Sequence, residues 1–261
     1  MKDILKSALN NFGIGITRAS KLEYLEANKK AITDIHFLKC VDEQFRSKCI
    51  DLLDVSQSEF RQDLFVLCQL NFKGNGYFVE FGATNGVDFS NTHLLETKFG
   101  WSGILAEPAL TWHNDLKANR TSHVDTRCVW KETGQSILFK EAAVGELSTL
   151  DQFSSQGDNS RFRQSGGTSY EVETISLLDL LQAHNAPEHI EYLSLDTEGS
   201  EFEILSNFDF DRYSFDVITC EHNFTDDREK IHGLLVQHGY IRIFETMDIV
   251  DDWYVATRIL N

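Results

Sequence analysis

Tyr77-Phe78-Val79-Glu80-Phe81-Gly82-Ala83-Thr84-Asn85-Gly86 is the stretch on which the fold turns. Five apolar-rich residues, launched by the turn signal Lys73-Gly74-Asn75-Gly76, read as a short buried strand that runs into a glycine loop. Glu80 is out of place there, because a carboxylate on a buried strand costs several kcal/mol unless it is paired or hydrogen-bonded. Gly82 and Gly86 allow a tight turn and a close approach to a ligand. In open α/β sheets ligands bind just beyond the carboxyl ends of the strands, which places a site at this loop.

Downstream the pattern repeats. Asn91 is placed to cap a helix through Leu94, Leu95 and Phe99, ended by Gly100, and Gly103–Ala106 reads as a second strand that stops at Glu107-Pro108. An acid at that second tip is the position that takes ribose hydroxyls in nucleoside-binding folds. Arg127–Trp130 reads as a third strand, Ser136–Phe139 with Ala142–Val144 as a short pair, and Tyr170–Ile175 as another strand. Ser176 and Asp179 cap a helix around Leu177–Ala183. Ile190–Asp196 is a strong strand leading into Asp196-Thr197-Glu198-Gly199-Ser200-Glu201, where Ser200 and Glu203 form a capping box. Phe215–Cys220 stops at Glu221-His222-Asn223; a helix over Asp226–His238 and two closing strands, Tyr240–Phe244 and Trp253–Ala256, complete an α/β sheet.

Upstream, Ser56 and Glu59 form a capping box before Phe60, Leu64, Leu67 and Leu70 at helical spacing, with Arg61, Gln62 and Asp63 on a polar face that either is solvated or meets a cofactor. Residues 1–55 read as a helical N-terminal extension, and 56–261 as the site-bearing domain. Residues 1–16 also suit a weak membrane-surface helix, although Asn10 and Asn11 break the apolar run short of a signal peptide. The stretch from Gly145 to Ser169 is too long and polar for an ordinary connection, and is expected to be a lid or a disordered insertion. Its Arg161 and Arg163 either meet an anionic substrate or stay solvated.

Charge and cysteines narrow the class. A formal charge of −17 over 261 residues repels phosphate backbones and argues against a nucleic-acid partner. The five cysteines lack any C-x-x-C spacing and read as reduced thiols, which suits a cytoplasmic protein. Glu80, Glu107, Asp196 and Glu221 all end strands, so a doubly wound sheet brings them to one crevice. An acidic crevice suits a ligand carrying a sulfonium, an ammonium and a ribose diol better than one carrying a pyrophosphate, and Gly82-x-x-x-Gly86 lacks the extra glycine of a nicotinamide-cofactor loop. S-adenosylmethionine carries those three groups and is the expected ligand.

Val79-Glu80-Phe81-Gly82-Ala83-Thr84-Asn85-Gly86, Ser90-Asn91-Thr92 with Leu94-Leu95-Glu96, Gly103-Ile104-Leu105-Ala106-Glu107-Pro108, and Asp196–Glu201 together resemble the FkbM-type S-adenosylmethionine-dependent methyltransferases, over roughly Ser56–Val255. The resemblance implies a class I, Rossmann-like fold: a doubly wound seven-stranded sheet, mostly parallel, with an antiparallel C-terminal strand. It also implies O-methylation, commonly of a sugar hydroxyl in a glycan or glycoconjugate. Glu80 departs from the aspartate that many members carry.

Expected cofactor contacts are Glu80, Gly82, Ala83, Thr84, Gly86, Asn91, Glu107 and Asp63. Catalytic roles fall to His222 as general base, with Asp196 and Glu198. Asp196 and Glu221 also resemble the acids that hold a divalent cation in metal-dependent O-methyltransferases, where oxygen ligands favour Mg²⁺ or Mn²⁺. The acceptor is expected to be a sugar-containing small molecule, a glycolipid or a polysaccharide. Two competing readings are a nicotinamide-dependent sugar oxidoreductase, which lacks a Tyr-x-x-x-Lys pair here, and a non-catalytic glycan-binding or assembly module that keeps the fold.

Overall fold

A computed structural model describes residues 19–155, 160–247 and 249–260. The surface-helix reading of residues 1–16 lies outside the described residues. The described residues open with α1 (Ala19–Cys40), α2 (Glu43–Leu52) and α3 (Gln62–Gln69), then alternate β1 (Tyr77–Phe81), α4 (His93–Phe99), β2 (Ser102–Ala106), α5 (His113–Asn119) and β3 (His123–Asp125). An excursion follows through β4 (Cys128–Trp130), β5 (Ser136–Glu141), β6 (Thr149–Leu150), α6 (Ser160–Gln164) and β7 (Thr168–Ser176). The alternation resumes with α7 (Leu177–Ala183), β8 (His189–Leu195), α8 (Glu201–Ser206), β9 (Ser214–Glu221), α9 (Asp227–Gln237), β10 (Tyr240–Ile243) and β11 (Asp251–Ala256).

The main sheet runs β10-β11-β9-β8-β1-β2-β3. Pairs β1/β2, β2/β3, β1/β8 and β8/β9 are parallel, whereas β11 is antiparallel to both β9 and β10. From β1 the order grows outward in two directions, through β2 to β3 and through β8 to β9, so the connections leave β1 and β8 on opposite sides and open a crevice at their carboxyl ends. A second sheet, β4-β7-β5-β6, is built wholly from the excursion.

Period-two alternation assigns the two faces. Val79 and Phe81 pack with Ile104, Leu193 and Ile218 against α7, α8 and α9 through Leu180, Ile204 and Leu235. Phe78 faces the other way, with Leu105, Tyr192 and Val217, against α3 and α4 through Leu64, Leu67 and Leu95. The N-terminal helices share that second core: Phe37, Val41 and Cys49 are buried in it beside Phe65 and Trp253. All five cysteines are free thiols, and Sγ of Cys49 and Cys68 lie 3.3 Å apart. Among the described residues no helix is long and apolar enough to cross a membrane.

Several local expectations change. The third strand of the main sheet is His123–Asp125, not Arg127–Trp130; the Asp125 carboxylate accepts from Arg127 N at 3.0 Å and turns the chain out toward the second sheet. Strand β5 pairs with β7 on one side and with Thr149–Leu150 on the other, not with Ala142–Val144. Helix α3 starts at Gln62 with Arg61 at φ 71°, and Ser58 Oγ, not Ser56, accepts from Asp63 N at 3.2 Å. Ser90 Oγ, not Asn91, accepts from His93 N at the head of α4. Ser176 caps α7 as the spacing predicts, by accepting from Asp179 N at 3.1 Å.

Candidate active site

The β1 loop is fixed by backbone shape before any ligand is considered. Gly82 has φ +70° and donates to Ala106 O at 3.1 Å; a Cβ there would lie 2.2 Å from Asp196 O, so the tips of β1 and β8 press together with no room for a side chain. Gly86, at φ +81°, faces Leu116 and Arg120, which a Cβ would meet at 2.7 and 2.6 Å. These glycines are therefore demanded by protein neighbours, whereas the sequence reading assigns them the task of making room for a ligand. Ala83 is buried and, like Gly86, lies outside the cleft wall.

Glu80 is buried and fully engaged. Its carboxylate accepts from Asn91 N at 2.6 Å, Thr92 Oγ1 at 2.5 Å and Ser90 Oγ at 3.0 Å, and lies 3.6 Å from the Arg120 guanidinium. Arg120 in turn donates to Glu96 at 2.9 Å, Gly86 O at 3.0 Å and Thr92 Oγ1 at 2.8 Å. Glu80 thus locks the loop to the head of α4. The anomaly in the strand is satisfied by protein donors, Ser90, Asn91 and Thr92, and by the nearby charge of an arginine that no local motif flags.

Glu107 is different. One oxygen accepts from Thr84 N at 2.9 Å and the other from Ala109 N at 2.8 Å, which leaves each oxygen further acceptor capacity in a residue that lines the cleft. Burial pushes its carboxyl up to about 7; the two N–H groups oppose that rise and nearby Glu141 adds to it. Thr84 holds φ +45° to aim its N–H at Glu107, a strained conformation at the base of the crevice.

Opposite stand Asp196, Glu198 and Glu221, with a carboxylate oxygen from each within 4.8 Å of the others. Glu198 has φ +59°, pairs with Arg163 of α6 and accepts from Asn223 Nδ2 at 2.9 Å. Burial raises its carboxyl to about 7 against the pull of Arg163. Glu221 is raised well above the carboxylate range, first by burial and then by repulsion from Asp196. Asp196 is raised too, by enclosure and by Glu198, yet it is the exposed member and the cleft's own water screens it. Glu201, which sequence spacing placed with these acids, instead accepts from Thr197 N at 2.8 Å and Gly199 N at 3.1 Å and so shapes the turn; Ser200 provides no side-chain cap.

The cleft between these two acidic sides has a volume of about 400 Å³. Glu80, Gly82, Thr84, Asn91, Glu107, Asp196, Glu198 and Glu221 all line it. One wall is apolar, formed by Cys128, Val129, Phe139, Leu147 and Leu150 from the excursion. The rim carries Phe60, the 2.7 Å Lys29–Glu59 pair, and Phe89, exposed at φ +61°. Lys29 lies on α1, so the N-terminal segment contributes to the site; only the extra length of the chain hinted at this.

Besides Ala83 and Gly86, two more expected residues, Asp63 and His222, stay away from the cleft. Asp63 is fully buried behind it, accepting from Ser56 Oγ at 2.8 Å, because Arg61, Gln62 and Asp63 form a buried polar knot rather than a solvated helix face. His222 is not brought to the cleft either. Its Nδ1 accepts from Phe224 N at 3.0 Å and its Nε2 points to Asp252, 3.6 Å away. Burial lowers the imidazole to about 4, with Arg228 and Arg242 assisting and Asp252 opposing, so the ring is neutral and turned to the opposite side of β9. Arg163, expected to be solvated or to meet a substrate, is buried against Glu198 and donates to Leu147 O at 3.0 Å.

Residues 80–248 match the methyltransferase FkbM domain. Among solved structures, an FkbM methyltransferase from Methylobacillus flagellatus KT aligns over 89% of this chain and 60% of its own, at 10% identity and a TM-score of 0.46. A precorrin-6y C5,15-methyltransferase from Geobacter metallireducens GS-15 aligns over 74% and 85%, at 11% identity and a TM-score of 0.39. No curated protein matches the chain in sequence.

Proposed function

The chain belongs to the FkbM methyltransferase family, and from that premise we propose that it transfers the methyl group of S-adenosylmethionine to an oxygen nucleophile, a sugar hydroxyl of a glycan or glycoconjugate. The observation that carries this reading is the two-sided cleft. A half-satisfied carboxylate, Glu107, faces an acid trio across about 400 Å³, a volume within the range of small-molecule sites. We read the fold as the class I methyltransferase arrangement, with 19–55 as an extension that closes one rim.

The residues fit the cofactor. Glu107 has one free acceptor site on each oxygen, which suits the two vicinal hydroxyls of a ribose, and its Thr84 and Ala109 donors hold it in place. The wall of Val129, Phe139, Leu147 and Leu150 offers a dry surface for a flat base. S-adenosylmethionine, when bound, supplies an already activated methyl group, so the protein's task is alignment and proton removal. Glu80 contributes indirectly by tying the loop to α4 through Ser90, Asn91 and Thr92.

Proton removal falls to the trio. A sugar hydroxyl is a poor nucleophile at neutral pH and needs an acceptor for its proton within hydrogen-bond reach. Asp196 is open to the cleft beside Glu198 and Glu221; enclosure first, and then repulsion from Glu198, raises its proton affinity, while its contact with Glu221 lowers it. His222 has no path to that position. Phe60 and Phe89 at the rim suit the apolar face of a sugar ring, and the Lys29–Glu59 pair suits its hydroxyls.

The test is incubation with methyl-labelled S-adenosylmethionine and a panel of nucleotide sugars, lipid-linked glycans and polysaccharides, read by mass spectrometry with linkage analysis. Label on a sugar oxygen is the expected result. Label on a nitrogen or carbon acceptor, or binding of NADH in preference to S-adenosylhomocysteine, contradicts it.

A further inference from the structure

Asp196, Glu198 and Glu221 reach the cleft from three separate places: the tip of β8, the turn before α8, and the tip of β9. Their oxygens lie within 4.8 Å of one another, the span of ligands around a single ion. Repulsion makes such a gathering costly unless something compensates it. Among the described residues, the compensation seen is one guanidinium, Arg163, and one amide, Asn223 Nδ2, and both sit on Glu198. Glu221 gets none. It is only 7% exposed, its Oε2 is buried without a hydrogen-bond partner, and one of its carboxylate oxygens lies within 4.8 Å of those of the other two acids. A polar atom so buried and left unmatched in a native fold points to a missing partner.

We propose that Asp196, Glu198 and Glu221 together bind one divalent cation, with Glu198 shared between that ion and Arg163. The inference rests on the methyltransferase reading only for its catalytic meaning, and deepens it by adding Glu198 to the pair of ligands that sequence suggested. Three carboxylate oxygens with no imidazole or thiolate among them select a hard ion of the Mg²⁺, Mn²⁺ or Ca²⁺ type. Asp196, the exposed member, leaves one side of the site open to the cleft, so a hydroxyl brought there enters the ion's field and gives up its proton more readily.

Arg163 gives the site a distinctive behaviour. Its guanidinium neutralises Glu198 in the absence of the ion, and it is held by Leu147 O on the same wall of the cleft. As a positive charge beside the site it opposes cation binding. Removing it therefore tightens the metal, whereas removing a ligand loosens it.

Mn²⁺ titration of the full chain, followed by electron paramagnetic resonance of the free aquo ion, reads this without any acceptor. The wild type binds one Mn²⁺ at or below about 1 mM, displaced by Mg²⁺. Glu221→Gln weakens binding by at least ~100-fold without loss of thermal stability, since the change removes a buried carboxyl whose Oε2 has no hydrogen-bond partner. Arg163→Gln tightens it roughly tenfold. No Mn²⁺ bound by the wild type, or a Glu221→Gln variant within about threefold of it, overturns the site; Arg163→Gln binding more weakly overturns the sharing of Glu198. S-adenosylhomocysteine binding, measured on the same preparations, tests the methyltransferase reading separately, because a chain that binds it but not Mn²⁺ loses only the ion.

Discussion

Glu107 offers the sharpest quantitative test of the cofactor assignment. Burial pushes its carboxyl from an ordinary 4.5 up to about 7. Protonated, one oxygen becomes a donor and can no longer accept from a ribose hydroxyl; ionised, both oxygens accept. Binding that selects the ionised form therefore weakens about tenfold for each pH unit below 7 and levels off above it. The suitable probe is 5′-methylthioadenosine, which keeps the ribose diol and lacks the amino-acid tail, so that no group of the ligand titrates in the window. Calorimetry between about pH 6 and about pH 8 should show roughly tenfold tighter binding at the higher pH. Glu107→Gln should flatten that slope and cost about 1.5–3 kcal/mol at the higher pH, or roughly 10- to 150-fold in Kd. Glu198 ionises over a similar range, and the variant separates its contribution from that of Glu107. The same shift has a stability consequence of opposite sense. Because the folded-state value lies above the unfolded one, Glu107 contributes stability that is fully present below 4.5 and is lost as pH rises through about 7, by about 3 kcal/mol. Urea denaturation of the wild type minus Glu107→Gln isolates it. A wild type whose affinity is flat with pH, or a variant that keeps the slope, refutes the ribose role.

Other perturbations follow from the same geometry. Arg120→Met leaves Glu80 and Glu96 buried without their cation and should cost about 3–5 kcal/mol in urea denaturation. Adding Glu80→Gln should recover at least ~1 kcal/mol as a coupling term, and a single-variant loss below ~1 kcal/mol would deny the pair its structural role. Gly82→Ala faces a 2.2 Å approach to Asp196 O at φ +70°, a backbone clash that cannot be relieved by a rotamer. It should lower S-adenosylhomocysteine affinity at least ~10-fold on top of about 1–2 kcal/mol of backbone strain, and unchanged affinity would show that the loop is looser than its contacts imply. His222→Gln, on protein shown to be folded by circular dichroism, should keep kcat within about threefold; a loss of ~100-fold or more would return the general base to that residue.

Much of the fold was legible from period and punctuation. Strands β1, β2, β8 and β9 are short apolar runs ending at an acid, α7 carries its Ser176 cap, and Gly100 and Gly239 end their helices at φ +68° and +84°. What stayed hidden depends on partners distant in sequence. The excursion drew Cys128–Trp130 away from the main sheet because Asp125 and Arg127 form a tight local pair, and the same three-residue apolar strand fits either sheet. Asp63 looked like a helix-face residue, yet the chain enters α3 through Arg61 at φ 71°, and Arg61 pairs with Asp34 at 2.6 Å, closing the knot over it. His222 follows β9 directly and seemed bound for the cleft. Alternation carries Glu221 inward and His222 to the opposite side, where Asp252 of β11 waits.

The four strand-tip acids show how one sequence signal carries two physical meanings. Glu80 and Glu221 are written alike, as carboxylates where a buried strand ends, and both are almost wholly enclosed. Glu80 has spent its acceptor sites on Ser90, Asn91, Thr92 and Arg120, so it belongs to the scaffold. Glu221 keeps an oxygen that nothing reaches, and Glu107 keeps room on both. A folded protein tolerates such incomplete groups where a ligand completes them, because their cost is then offset only in the bound state. The chemistry therefore lies on the line from Glu107 to Glu221 across the cleft rather than along β1, even though β1 is where the sequence first announces a site. Arg120, forty residues beyond Glu80 and without a motif of its own, is the residue that makes the distinction.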